Sequence, residues 1–335
     1  MLDRQFNNLI KDNNCRILYS ARLLFFCSLI FTSNYVFASK YEKNLAFATN
    51  QGDDSVSVID INNFSVIKTI EVGDAPAGIV VDKVNNLVFV SNAESNNISV
   101  IDVNSLNVFK TILIDGSSVG LDTSYNGKSL FVTDWFNNNL LVFSIPEFKL
   151  TKKIKVGIAP AGVISSKKGL VYVVNRDDNS VSVISEDLLE VIDNFKVGNH
   201  PFGIGLNPSE DKLLVANVKS HDISIVDTFN HKEVARVSVG KRPYCISFSS
   251  LGSLAYVTNQ YEDTLSVVDL KKKQVVKTVP VGSFPEGVNT GNGYIYVTNW
   301  MDEDMMVLNE EKFDLVELIQ LGSNPRNFGD FLFIQ

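Results

Sequence analysis

One short strand ending returns seven times in this chain: FATN at 47–50, FVSN at 89–92, FVTD at 131–134, YVVN at 172–175, LVAN at 214–217, YVTN at 256–259 and YVTN at 296–299. The intervals between the final residues are 42, 42, 41, 42, 42 and 40. A period of this size means stacked supersecondary units, none of which can bury its apolar face alone. From Ser39 to Gln335 there are 297 residues, and seven units of about 42 use about 294 of them. A single array over residues 39–335 is therefore expected, with no second domain.

Within a unit the hydrophobic period is two. Ser55-Val56-Ser57-Val58-Ile59-Asp60 alternates small polar with branched apolar residues, as do Ser182-Val183-Ile184 and Ser266-Val267-Val268-Asp269. Such alternation reads as strand, and the three-and-four spacing of a helical repeat is missing. The second unit parses into four strands: Ala77 to Val81, Leu87 to Ser91, Ile98 to Ile101 and Val108 to Leu113. A link with Gly and Pro joins successive units, as in Val72-Gly73-Asp74-Ala75-Pro76 and Val281-Gly282-Ser283-Phe284-Pro285. Gly admits a positive φ there, and Pro fixes φ and gives no ladder donor, so both suit the start of a strand. Four antiparallel strands repeated about an axis make an all-β, seven-bladed propeller.

The ends of the array point to ring closure. The repeats begin at a second strand, Leu45 to Thr49, and end after an orphan link and strand, Leu321 to Pro325 and Arg326 to Ile334. The tail is expected to supply the missing inner strand of blade one. Joining ends about 290 residues apart costs on the order of 5 kcal/mol. Burial of Phe328, Phe331, Phe333 and Ile334, at about 1.5–3 kcal/mol each, offsets it.

The first 38 residues are different material. Arg4, Lys11, Arg16 and Arg22 precede the apolar run Leu23 to Phe31, and Val36-Phe37-Ala38 offers a cleavage site. Met1 to Ala38 reads as a signal peptide cut before Ser39, the alternatives being an uncleaved anchor or lipidation at Cys27. Cleavage removes four of 30 basic and two of 38 acidic residues, leaving 26 against 36 and a net charge of −10. Such a surface disfavours nucleic acid. It also leaves Cys245 as the lone cysteine, so no internal disulfide is expected in an exported product. The expected location is periplasmic or extracellular, with no transmembrane helix in the mature chain.

The strand endings, with Val58-Ile59-Asp60 and Val100-Ile101-Asp102 in the third strands, resemble the YVTN-repeat β-propeller family, which includes YncE-like exported bacterial proteins. The likeness covers the whole array; the third unit departs from the Val-Gly-x-x-Pro link with Ser118 in place of Pro. It implies a seven-bladed extracytoplasmic propeller. The shared motif is structural and implies no catalytic residues. The Trp-Asp and Gly-His marks of WD40 repeats are absent.

Function is then sought where the units disagree, at the links and second turns around one mouth of the channel. After each link proline or its equivalent stand Ala77, Val119, Ala161, Phe202, Tyr244, Glu286 and Arg326; after each strand ending stand Gln51, Ala93, Trp135, Arg176, Val218, Gln260 and Trp300. Half the ring is small and half is bulky or charged. Trp135, Arg176, Phe202, Arg242, Tyr244, Tyr261, Glu286, Trp300 and Arg326 form the expected ligand-binding set, suited to a planar or anionic ligand. The competing reading makes Trp135 and Trp300 blade-to-blade packing.

Acidic turns read as solvated hairpins, with Asp302 and Asp304 the best place for calcium. Without His-x-Cys or Cys-x-x-Cys-His patterns, no cofactor is expected. The enzymatic alternative is a lactonase-like or other hydrolytic propeller using Glu286 with His200 or His221. The preferred reading is a noncatalytic exported propeller that binds a small molecule, peptide or envelope partner at the mouth, and the third reading is a structural surface scaffold.

Overall fold

The computed structural model describes residues 43–335; the segment expected to be a signal peptide lies outside the described residues. Seven antiparallel sheets follow one another around a ring, each with its first strand inside and its fourth outside. Blade two, for example, runs Pro76–Asp82, Leu87–Asn92, Asn97–Asp102 and Asn107–Leu113. Inner strands of adjacent blades touch all the way round, and outer strands mostly face solvent. An outer strand such as Ser65–Glu71 or Gln274–Pro280 is held by one buried residue near its end, Ile70 or Val279.

Each letter of the strand ending has a separate task. The first side chain, Phe47, Phe89, Phe131, Tyr172, Leu214, Tyr256 or Tyr296, is fully buried and fills the space between sheets, where aromatic area contributes most. The Thr or Ser answers a bulge. In blade seven Pro285 pairs with Asn299 but Val288 with Val297, so three residues oppose two, and a bulge frees a backbone N–H. The Gly287 N–H donates to Thr298 Oγ1 at 3.0 Å. In blade three the Gly120 N–H donates to Thr133 Oγ1 at 2.8 Å, and that hydroxyl donates at 2.7 Å to the Ala161 carbonyl of the next blade. The hydroxyl thus satisfies a buried donor and clips neighbouring blades together. The Asn closes the second turn: Asn50 Nδ2 donates to Ser55 Oγ (3.0 Å) and Ser57 Oγ (2.9 Å), and Asn259 does the same to Thr264 and Ser266.

The link glycines act differently from expectation. Gly73, Gly157, Gly198, Gly240, Gly282 and Gly322 do not have left-handed φ; a Cβ on each would stand 2.5–2.8 Å from the strand-ending Asn. Space, not conformation, selects them. The left-handed residue is the one before proline, with φ of 52° at Ala75 and Ala159, 48° at His200, 52° at Arg242 and 55° at Phe284.

The tail closes blade one as expected, but not as one continuous strand. Pro325 bridges Asn50, and Leu332–Phe333 pairs with Ala46 and Leu45. From Pro325 to Leu332 is seven steps against four from Asn50 to Ala46, whereas blade seven uses five against four between Pro285 and Thr290. Two extra residues make an enlarged bulge. It leans sideways, Phe328–Asp330 pairing in parallel with Gly78–Val80 of blade two. Buried Asn327 anchors it, accepting from Thr49 N (2.7 Å) and donating to the Phe47 carbonyl (3.1 Å). Phe331 and Phe333 are buried in the core between blades, and Ile334 packs at its edge.

Candidate functional site

The enlarged bulge carries Phe328 across the channel. Its ring centroid lies 4.8 Å from Phe202 of blade five and 5.6 Å from Tyr244 of blade six, and those two rings stack at 4.7 Å. This aromatic plug separates a cavity of ≈ 170 Å³ on one side, among the inner strands, from two clefts at the mouth. Asp122 faces the inner cavity, its carboxyl pushed by burial up to about 7 against the lowering pull of the Ser165 and Thr123 N–H groups.

At the mouth, one cleft of ≈ 260 Å³ is lined by Trp135, Arg176, Phe202, Arg242, Tyr244, Glu286 and Arg326, together with Val218, Gln260 and Phe284. Trp135 stands 6.2 Å from Phe202 by ring centroid, and the Arg176 guanidinium lies 5.3 Å over its ring. Seven of the nine expected binding residues meet here because they occupy equivalent repeat positions in blades one and three to seven, which a closed ring turns towards one axis. Tyr261 stands just outside, with the Arg242 guanidinium 4.3 Å over its ring. Trp300 is not in the cleft: it packs 5.6 Å from Phe284, and its Nε1 donates to Gln51 Oε1 across the seam between blades seven and one. That tryptophan therefore sits between blades.

The cleft floor is a buried ionic network. Glu286 is fully buried; its Oε2 lies 2.9 Å from Arg326 Nε, and Gln260 Nε2 donates to its Oε1 at 3.0 Å. The Arg326–Glu286 approach is ion contact with the N–H pointing off the line, so neither atom has a hydrogen-bond partner. Arg326 Nη2 instead donates to Tyr244 Oη at 3.2 Å. Burial pushes Glu286 up to about 7, while Arg326 and Gln260 pull the other way. Burial also raises the Tyr244 phenol and the adjacent Cys245 thiol, so both stay protonated.

The remaining candidates are held elsewhere. His200 lies on the rim, 3.8 Å from Asp177; partial burial, Lys219 and Arg176 hold its pKa below the usual imidazole value. His221 Nδ1 accepts from the Arg242 N–H at 3.1 Å. Neither histidine lines the cleft that contains Glu286. Asp302 Oδ2 accepts from Ser283 N and Asp304 Oδ1 from Asn299, and among the described residues no three His, Cys, Asp or Glu side chains converge as metal ligands. No helix among the described residues is long and apolar enough to cross a membrane. Sequence reasoning assigned Phe328 to closure alone; the sign of its second role was the two surplus residues between Pro325 and Leu332.

Fold and site together define a seven-bladed propeller with an aromatic, arginine-lined cleft over a plugged channel. Residues 82–169 match the YNCE-like beta-propeller family. Solved structures of similar shape include Kuenenia stuttgartiensis hydrazine synthase (TM-score 0.73, 18% identity, covering 84% of this chain and 100% of that one). A functionally unknown protein from Desulfotomaculum acetoxidans DSM 771 gives 0.74 and 17%, covering 85% and 99%. Dihydro-heme d1 dehydrogenase NirN in complex with DHE gives 0.65 and 14%, covering 83% and 64%. At these identities the likeness is one of fold. No curated protein matches the chain.

Proposed function

We propose that this is an exported, noncatalytic binding propeller whose ligand or partner seats at the channel mouth. The observation that carries the reading is the convergence of Trp135, Phe202, Tyr244, Arg176, Arg242 and Arg326 on one cleft, with Phe328 packed against its Phe202 and Tyr244. Largely preformed concave sites with apolar walls and a few placed charges are what ligand recognition uses. The basic and apolar leader ahead of Ser39 supports export. The hydrolytic alternative has less support, since Glu286 is tied to Arg326 and Gln260 while His200 and His221 face other partners.

The chain has two tryptophans, so Trp300→Phe leaves Trp135 as the sole indole reporter. Compounds that raise the melting temperature in a panel of small aromatic and charged molecules should shift Trp135 emission. Stabilising compounds that leave that emission unmoved would place binding elsewhere and overturn the assignment. The scaffold reading draws on exposed apolar residues of the outer strands, Val66 and Ile67 in blade one and Leu315, Val316 and Leu318 in blade seven. An envelope partner retained by Trp135→Ala but lost on changing those residues to Ser would favour it.

A further inference from the structure

The cleft with the arginines is only half of the mouth. A second cleft of ≈ 280 Å³ adjoins it and shares Trp135, Phe202, Tyr244 and Arg326 as a common wall. The two differ in chemistry. Beyond the shared wall the second is bounded by Ala77, Ala93, Ser118, Val119, Phe136 and Phe328, without a charged side chain of its own. It exists because blades two and three place small residues where blades five to seven and the tail place Phe202, Tyr244, Glu286 and Arg326. Ser118 replaces the link proline at this point, and Phe136 stands largely exposed at the rim.

Charge is equally one-sided. In the first cleft Arg326 is matched by Glu286 at 2.9 Å and Arg176 by Asp177 at 3.0 Å. Arg242 has no carboxylate within 4 Å among the described residues; its guanidinium lies on the Tyr261 ring and so is held in place without being neutralised. A guanidinium braced on an aromatic face presents its remaining N–H donors to a carboxylate or sulfonate.

Resting on the mouth being the binding site, we infer that the ligand is an elongated amphipathic monoanion. Its apolar end lies in the cleft over blades two and three, its body crosses the Trp135–Phe202 wall, and its acidic head reaches Arg242, with Arg176 beside it. A neutral or cationic molecule of the same shape gains the apolar contacts but leaves the arginine side uncompensated. A simple anion gains the head contact but leaves the aromatic cleft empty.

The test is isothermal titration of the full mature chain with 3-phenylpropanoate, 3-phenylpropanol and 3-phenylpropylamine, which share a tail and differ in head charge. A hydrogen-bonded charge contact sets the scale, so the acid should bind at least about tenfold tighter than the alcohol and the amine weakest. Arg242→Gln should erase the preference for acid over alcohol while leaving the alcohol's affinity in place. Ala93→Phe, which fills the apolar cleft, should weaken all three compounds, with thermal unfolding confirming that the variant is folded. Equal affinity for acid and alcohol, both lost in Trp135→Ala, would sink the ligand class and keep the site. Absence of binding by all three to folded protein would sink the class and the site together.

Discussion

Glu286→Gln, followed across pH, isolates the ionic network beneath the cleft. Glu286 is buried and its carboxyl is pushed from its ordinary 4.5 up to about 7. The folded protein therefore holds this proton more tightly than the unfolded chain does. That contribution to stability is complete below about pH 4.5 and is lost as pH rises through about 7. At ~1.36 kcal/mol per pH unit, the interval amounts to about 3 kcal/mol. Asp122 is raised to a similar value, so the wild-type profile alone mixes two groups. Glutamine keeps the shape and removes the titration, so the difference between the two profiles belongs to Glu286. Relative to wild type, Glu286→Gln should gain about 3 kcal/mol between pH 4 and pH 8, from urea melts at half-unit intervals. In thermal melts the same change is about 5 °C for a chain of this size. Parallel profiles over that range would mean that Glu286 ionises as it does in the unfolded chain, and the account of a strained burial held by Arg326 would fail.

The other expectations concern the ring. Deleting residues 326–335 removes the inner edge of blade one and Phe331 with Phe333; the product should oligomerise or unfold through open strand edges, and a monomer with unchanged melting by light scattering would contradict closure. Gly203→Ala puts a Cβ 1.9 Å from the Tyr244 carbonyl oxygen of the next blade and should cost about 2 kcal/mol or more, against about 1 kcal/mol for Gly169→Ala, where φ is +72° and the space is open. Blades four and five have Val174 and Ala216 where the other five carry the clipping hydroxyl, so Val174→Thr should gain about 1 kcal/mol in urea melts; a loss would show that the hydroxyl finds no partners there.

The scaffold was legible because repetition makes its rules visible. An aromatic residue, a hydroxyl and an amide recurring in most units every 42 residues or so had to be doing work shared by the blades that carry them, and the structure assigns them to interblade filling, bulge capping and turn closure. The link glycines show the limit of such reading: recurrence reveals that Gly is required, but the reason is the Asn side chain lying against it, a contact between segments about 18 residues apart. Local sequence rules see the φ angle and not the neighbour.

The site was legible for the opposite reason, through departures from the repeat. Phe202, Tyr244, Glu286 and Arg326 break a run of small residues after the link, Arg176 breaks a run of neutral residues after the strand ending, and closure of the ring is enough to bring them together. Trp300 breaks the pattern as conspicuously as Trp135, yet it turns into the seam beside Gln51 because its link neighbour is the bulky Phe284. Trp135 has small Ser117 and Ser118 in the corresponding link and is left free to face the axis. Phe328 was hidden because its position follows from a bulge two residues longer than its counterparts, measurable only once the tail is paired with blade one. That insertion places Phe328 between the inner cavity and the second, apolar cleft. Shortening the tail by deleting Gly329 and Asp330 should therefore restore an ordinary bulge, withdraw the ring of Phe328 from Phe202, and join the mouth to the inner cavity without opening the propeller. A crystal structure of that variant in which Phe328 still spans the channel would show that packing against Phe202 and Tyr244, and not the length of the bulge, places the plug.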